Sequence, residues 1–308
     1  EVNDHEKPVL NVSDSQSQNN EEKVKERTGV CSGEIAVIGM SGRFSDAENV
    51  DEFWNNLVSS RQSVKQITRW SNEYDGTGSS NTPDKSPAYG AFLSDIKGFD
   101  PNFFKISESE AKLMDPQQRI FLMEAWKAVE NAGYSNKSLE GIKCGVFVGC
   151  RPGDYTKILE RSGIVPDLYA FTGNDESVLP GRISYFLNLK GPGIAVHTAC
   201  SSSAVAIHLA CESIASGSCQ VALAGGVAVY STPSLQEFLS NSGMISPDGK
   251  CKTFDQNANG FALGEGAGVL VLKSVEKAVE DGDHIYGVIC GYGINHDGKT
   301  NGITAPSA

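Results

Sequence analysis

The sequence predicts an α/β fold in which strands alternate with helices and the sheet is covered on both faces. Three observations carry this expectation. Apolar runs of strand length alternate along the chain with segments whose apolar residues recur every three or four positions. The runs VALAGGVAV and AGVLVLK are continuous, as in strands buried on both sides. The strand GIAVH enters SSSAVAIHLACESIAS through small residues, and that helix is apolar nearly all round in its first half, as a helix inside a domain is.

Residues 1–33 hold few large apolar side chains and no helical stripe, so they read as a flexible linker or tail. The globular part opens at Glu34, with Ile35 to Ile38 as a short strand before a Gly-containing turn. Val50, Phe53, Trp54 and Leu57 place a helix around Asn49–Ser59. Residues 71–88 are polar and turn-rich, an exposed loop. Asp115 as N-cap and Pro116 in the first turn open a helix with Ile120, Phe121, Met123, Trp126, Ala128 and Val129 on its buried face, closed by Gly133. Gly145–Gly149 is a buried strand, and Leu179–Leu187 a helix with Pro180 and Gly181 at its start. Gly193–His197 is a strand leading to Cys200, followed by a helix over Ser201–Ser216 that Gly217 ends. QVALAGGVAV and GVLVLK are strands around a Gly-rich loop. A helix at Val275–Glu280 and a strand at Ile285–Gly291 follow.

With 308 residues, 39% hydrophobic and 21% charged, the chain can build a sizeable core. Its 26 Lys and Arg against 38 Asp and Glu give a formal charge of −12, which argues against nucleic acid as a partner. No apolar run approaches the ~18–20 residues that span a bilayer, so no membrane role is expected. Glu1–Glu34 has no signal-peptide character. Among eight cysteines no pair is spaced C-x-x-C and no nearby His completes a zinc pattern, so no metal is expected. The seven other than Cys200 read as buried thiols in a reducing cytosol. GEGAG and GYGIN lack the strand, GxGxxG, helix and acidic residue of a dinucleotide site.

The segment GIAVHTACSSSAVAIHLACESIASG places Cys200 at or near a helix N-terminus. There, unpaired backbone N–H groups and the macrodipole favour an anion, and so a thiolate. Small neighbours leave room for a substrate, and N–H groups at the turn can serve a developing oxyanion. The local pattern equally allows a packing cysteine, with Ser201–Ser203 as ordinary caps. Cys211 lies roughly 16 Å up the helix and cannot be a partner.

HTACSSSAVAIHLA resembles the nucleophile motif of β-ketoacyl synthases, specifically the ketosynthase domains of modular polyketide synthases. The resemblance extends to AVIGMSGRF, Phe53–Trp54, LMDPQQR, GVFVG, RISYFLNLKGPG, LAGGV, SPDGKCKTFD, GEGAGVLVLK, DGD and NHDGKTNGITAP, from Glu34 to Ala308 and in the family's order. It implies a thiolase-like fold of five layers, αβαβα, of which this chain is the N-terminal half plus the start of the second half. Residues 1–33 are then a linker, 34–283 the N-terminal half, and 284–308 the first strand and loop of a truncated C-terminal half. It implies a homodimer with the strand before Cys200 near the seam, in the cytoplasm. The implied partners are acyl carrier protein, the C-terminal half and neighbouring synthase domains. No cofactor is bound directly, the substrates riding on the carrier's phosphopantetheine. Cys200 would accept an acyl chain and condense it with a malonyl-derived extender.

The sequence departs from the family in three ways. The two condensing histidines belong to C-terminal motifs, and His5, His197, His208, His284 and His296 occupy neither. The reading is therefore an incomplete ketosynthase, with a non-elongating acyl-holding or dimerisation module, completed in trans, as the alternative. His197 stands where a small polar residue is usual and reads as a packing substitution. Leu263 before GEG suggests altered loop packing. His296 reads as structural and His208 as a satisfied core histidine. A cysteine hydrolase would need a His oriented by Asp or Asn, which no segment suggests.

Overall fold

The computed structural model describes residues 33–70, 88–135 and 137–302. Apart from Gly33 and Ala88, the expected tail and the loop over 71–88 lie outside the described residues, as do Cys31 and His5. No helix among the described residues is long and apolar enough to cross a membrane.

Strand β1 (Ile35–Phe44) is followed by α1 (Val50–Val58), the short strands β2 (Lys65–Gln66) and β3 (Tyr89–Ala91), then α2 (Glu108–Leu113) and α3 (Pro116–Asn131). Next come β4 (Cys144–Gly149), α4 (Tyr155–Arg161), α5 (Leu168–Asn174), α6 (Val178–Leu187), β5 (Gly193–Val196) and α7 (Ser202–Ala215). β6 (Val221–Ala228), α8 (Ser234–Asn241), β7 (Leu263–Gly264), β8 (Gly266–Ser274), α9 (Val275–Asp281) and β9 (Gly287–Ile289) complete the order.

The main sheet runs β5-β4-β6-β8-β1-β9. β5, β4 and β6 are mutually parallel, and β6, β8, β1 and β9 alternate in direction. Helices α3, α6 and α9 pack one face, setting Ile120, Phe121, Ile183 and Ala278 against Ile38, Val146, Val148 and Val271. Helix α7 covers the other, setting Ala206, Ala210 and Ile214 against Phe147, Ala222, Ala224 and Leu272. β2, β3 and β7 form a separate small sheet.

Helix α3 begins as its sequence dictates. The Asp115 side chain accepts from the Gln117 N–H, Pro116 sits in the first turn, and Gly133 follows the helix at φ 77°. β1 is longer than expected and continues through the glycines of GMSGRF. A Cβ at Gly39 would lie 2.6 Å from the Ala132 Cβ, so this glycine lets α3 close on the strand instead of breaking it. Of the two continuous apolar runs, β6 is buried almost throughout, whereas β8 alternates until Val271. Helix α7 is not enclosed on all sides. Ser202, Ala206, Ala210, Cys211, Ser213 and Ile214 are buried, but Val205, Ile207 and Leu209 are half-buried and Ala204 is exposed. Its apolar surface thus exceeds what the sheet covers. β9 is shorter than its apolar run and forms the outer strand beside β1. Helices α2, α4, α5 and α8 were not expected. Each spans six to eight residues and buries one or two, too short a stretch to display a period.

Candidate active site

Cys200 is exposed, in a single 3₁₀ turn (Ala199–Ser201) between β5 and α7. The turn is sharp because Ala199 holds φ at 55°, a left-handed conformation costing a non-glycine residue about 1–3 kcal/mol. Its neighbours supply the restraint. The Ser202 Oγ accepts from the Thr198 N–H at 2.9 Å and donates to the Ala199 carbonyl at 2.7 Å. The Ser201 hydroxyl donates to the Thr198 carbonyl at 2.8 Å. Ser201, the residue flanking α7, makes no side-chain capping bond, so these serines tie the elbow together rather than cap the helix.

The elbow rests on two glycines. A Cβ at Gly149, the end of β4, would lie 2.4 Å from the Ser203 nitrogen and 2.5 Å from the Ser202 carbonyl carbon. One at Gly226 in β6 would lie 2.7 Å from the Ser203 Cβ. GVFVG and LAGGV are therefore the floor under the first turn of α7. Backbone packing against backbone fixes where that turn's N–H groups lie relative to Cys200, whose partial positive charge favours an anion there.

The segment after β6 forms the adjoining wall. Burial chiefly raises the Tyr230 phenol; Arg151 opposes this, while Glu265, Cys200 and Asp154 add to it, so Cys200 lies within electrostatic reach of the ring. The Arg151 guanidinium sits 5.6 Å from the centre of the same ring. Two buried carboxylates hold the wall. Glu265 accepts from the Tyr230 N–H at 2.8 Å, the Leu93 N–H at 2.9 Å and the Arg69 guanidinium. Asp154 accepts from the Ser231 and Thr232 N–H groups, each at 2.9 Å, and from the Thr232 hydroxyl at 2.6 Å. Leu263 is buried against Trp70 and Tyr230 in this wall, which accounts for an apolar residue before GEG. Sequence reasoning missed Tyr230, Arg151, Asp154 and Arg69. One signal was available for Glu265: a lone carboxylate in the apolar, glycine-rich GFALGEGAGV must find a buried partner.

The histidines are dispersed. His208 Nε2 lies 3.3 Å from Glu212 and its ring meets Tyr292 edge-on, but its Nδ1 is buried without a partner, so the histidine is only partly satisfied. His296 Nδ1 accepts from the Gly298 N–H, a turn contact, and His284 meets the Tyr286 ring edge-on. His197 is exposed, not packed. Cys144, Cys150, Cys211 and Cys219 are buried as expected, whereas Cys251 and Cys290 are exposed because their loop and short edge strand have no second layer over them among the described residues. Burial pushes the thiols of Cys144 and Cys150 up to about 12 and that of Cys211 up to about 11.

The family model described as Beta-ketoacyl synthase, N-terminal domain, matches residues 32–278. The chain belongs to the β-ketoacyl synthase family. This β-ketoacyl synthase chain is 50% identical over 278 residues to polyketide synthase PksL of Bacillus subtilis, a match covering 89% of the chain and 6% of PksL. It is 41% identical over 290 residues to 6-methylsalicylic acid synthase of Aspergillus niger, covering 93% of the chain and 16% of that enzyme. Among solved structures it is similar to the ketosynthase from module 6 of the bacillaene synthase of Bacillus subtilis, at 49% identity and a TM-score of 0.79. That match covers 89% of this chain and 46% of the ketosynthase, so the chain spans about half the length of that solved relative. The oxazolomycin ketosynthase domain OzmH KS7 of Streptomyces albus superposes with a TM-score of 0.80 at 37% identity, over 89% of this chain and 48% of that domain. The fold is thus thiolase-like.

Proposed function

We propose that the chain carries the nucleophile of a polyketide synthase ketosynthase. The observation that carries this reading is the exposed Cys200 on a strained turn at the mouth of α7. Its thiolate attacks the carbonyl of an acyl thioester on the phosphopantetheine arm of acyl carrier protein. The carbon–sulfur bond to the carrier breaks, and the carrier thiolate leaves and takes up a proton. Because a thioester replaces a thioester, loading is readily reversible. The acyl-Cys200 then meets a malonyl thioester. Loss of CO₂ leaves a carbanion equivalent, which attacks the acyl carbonyl and expels the Cys200 thiolate. The product is a β-ketoacyl thioester two carbons longer. N–H groups of the turn and the first turn of α7 are placed to serve the tetrahedral oxyanion.

The five histidines, at 5, 197, 208, 284 and 296, fall in neither of the family's condensing motifs, so decarboxylation draws on residues outside these 308. The boundaries fitting this reading are a linker to residue 33, an N-terminal half over 34–283, and the beginning of a C-terminal half over 284–308. The remainder of that half and neighbouring synthase domains are the covalent or docked partners, and the free thiols suit the cytosol. The exposed edge of β5, beside Cys200, is the proposed homodimer seam.

The test is incubation of the purified chain with acylated carrier protein and then malonyl carrier protein. The expected outcome is acyl transfer to Cys200, lost in Cys200→Ala, with no β-ketoacyl product. Robust elongation by the chain alone would contradict the assignment of decarboxylation to other residues, and no acyl transfer would contradict the whole reading.

A further inference from the structure

Between the N-terminus of α3 and the loop after β4 lies a cavity of about 10 Å³, lined by Asp115, Gln117, Cys150, Arg151, Asn174 and Glu176 among others. That volume suits one water-sized occupant. Asp115, Gln117, Asn174 and Glu176 bring side-chain acceptor oxygens to its lining. The Asn174 amide is oriented by two carbonyls, its nitrogen donating to Leu113 O at 2.8 Å and Ala170 O at 2.6 Å. Its Oδ1 is buried without a partner. The Gln117 nitrogen donates to the Arg151 carbonyl at 3.3 Å, and its Oε1 is likewise buried without a partner in a residue only 4% exposed. The nearby carbonyls thus fix both amides, leaving two oxygens that each need a donor or a cation.

Two carboxylates join them. Asp115 is 3% exposed, and its Oδ1 accepts from the Gln117 N–H at 2.7 Å. Glu176 and Asp115 both act on the Cys150 sulfur, which burial holds as a neutral thiol, so the site offers no thiolate to a soft metal. Arg151 also lines the cavity, but its guanidinium stands over the Tyr230 ring.

We propose that this cavity binds a single monovalent cation of potassium or ammonium size, held by Asp115, Gln117 Oε1, Asn174 Oδ1 and Glu176. Oxygen ligands suit a hard cation, and a cavity with room for one water-sized occupant suits a bare ion of potassium or ammonium size rather than a divalent ion that keeps several waters. The site would brace the 150–155 loop, which carries Arg151 against Tyr230 and Asp154 against Ser231, and so the wall beside Cys200. The inference does not depend on what Cys200 does.

The test is thermal unfolding of the 308-residue chain in chlorides of potassium, ammonium, sodium and tetramethylammonium at one ionic strength. Potassium or ammonium should raise the midpoint by about 3 °C over tetramethylammonium, saturably. Gln117→Met, which keeps the volume and removes the acceptor, should abolish the difference. Glu176→Gln is the second variant, should the first not fold, and should weaken the apparent potassium affinity about tenfold. Equal midpoints of the wild-type chain in potassium and tetramethylammonium would overturn the proposal and assign the cavity to a water. A potassium effect unchanged in the folded variants would overturn it too.

Discussion

Glu265 shows how one side chain organises the wall beside Cys200. Its carboxylate is fully buried, and it ties Arg69, Leu93 and Tyr230, three segments distant in sequence, to one point. Breaking a buried ion pair from one side leaves the other charge uncompensated, at a cost of about 3–5 kcal/mol. Glu265→Gln should therefore lower the urea midpoint by an equivalent amount at unchanged slope. Arg69→Ala should do much the same, and the double variant should cost less than the sum of the two. Strict additivity would show that the two side chains do not act as a pair. At this scale the place of Cys200 in the turn before α7 was legible because a strand, small residues and a buried-type helix meet at one residue. Tyr230, Asp154 and Arg151 were not, since Asp154 grips Ser231 and Thr232 across 77 and 78 positions and no local pattern records such a contact.

At the scale of elements, the glycines of β4 and β6 decide where α7 begins. Gly149→Ala would drive a methyl group into the backbone of Ser202 and Ser203, which cannot give way as a flexible side chain would. Overpacking of this kind costs about 1–3 kcal/mol, and it should also displace the elbow and slow acylation of Cys200. At Gly226 the nearest atom is instead the Ser203 Cβ. Gly226→Ala should thus be partly rescued by Ser203→Gly, measured as chemical stability, whereas Gly149→Ala should not. Equal rescue of both would contradict this account of the floor. The order of the longer helices and strands was readable from period and caps. The extent of β1 and the half-open state of α7 were not, because both depend on what packs against them. The DGD segment was recognisable only as a motif. Its physical role is that Gly282, at φ 72°, turns the chain after α9 so that Asp281 and Asp283 both reach the buried Lys273 ammonium.

For the molecule as a whole, charge burial and an open edge set its response to pH and concentration. Because burial raises Asp115 to about 6, the folded chain holds this proton where the unfolded chain, with an ordinary carboxyl near 4, has lost it. Between those values the native state binds more protons, so this group makes stability fall as pH rises, by up to about 3 kcal/mol, with no further change above about pH 6. In tetramethylammonium chloride the stability of Asp115→Asn relative to wild type should rise across that window and then level off. A difference independent of pH would show that Asp115 does not titrate there. On the sheet, β5 is the terminal strand, its outer edge unpaired among the described residues, with Ile194 39% exposed. Such an edge invites pairing with a second strand. If it is the dimer seam, sedimentation should find a dimer for the chain and a monomer for Ile194→Lys, and a dimer in both would place the seam elsewhere.

The central claim is that, among the described thiols, Cys200 alone is placed to take an acyl group. Peptide mapping by mass spectrometry, after brief exposure of the chain to an acyl-pantetheine thioester, tests it most directly. Cys251 and Cys290 serve as internal controls because they are exposed but sit at no helix mouth. The account predicts an acyl adduct on Cys200 at least tenfold faster than on either, and none on Cys144, Cys150, Cys211 or Cys219, roughly the advantage that 1.4 kcal/mol of preferential stabilisation confers. Equal labelling of Cys200, Cys251 and Cys290 would contradict it.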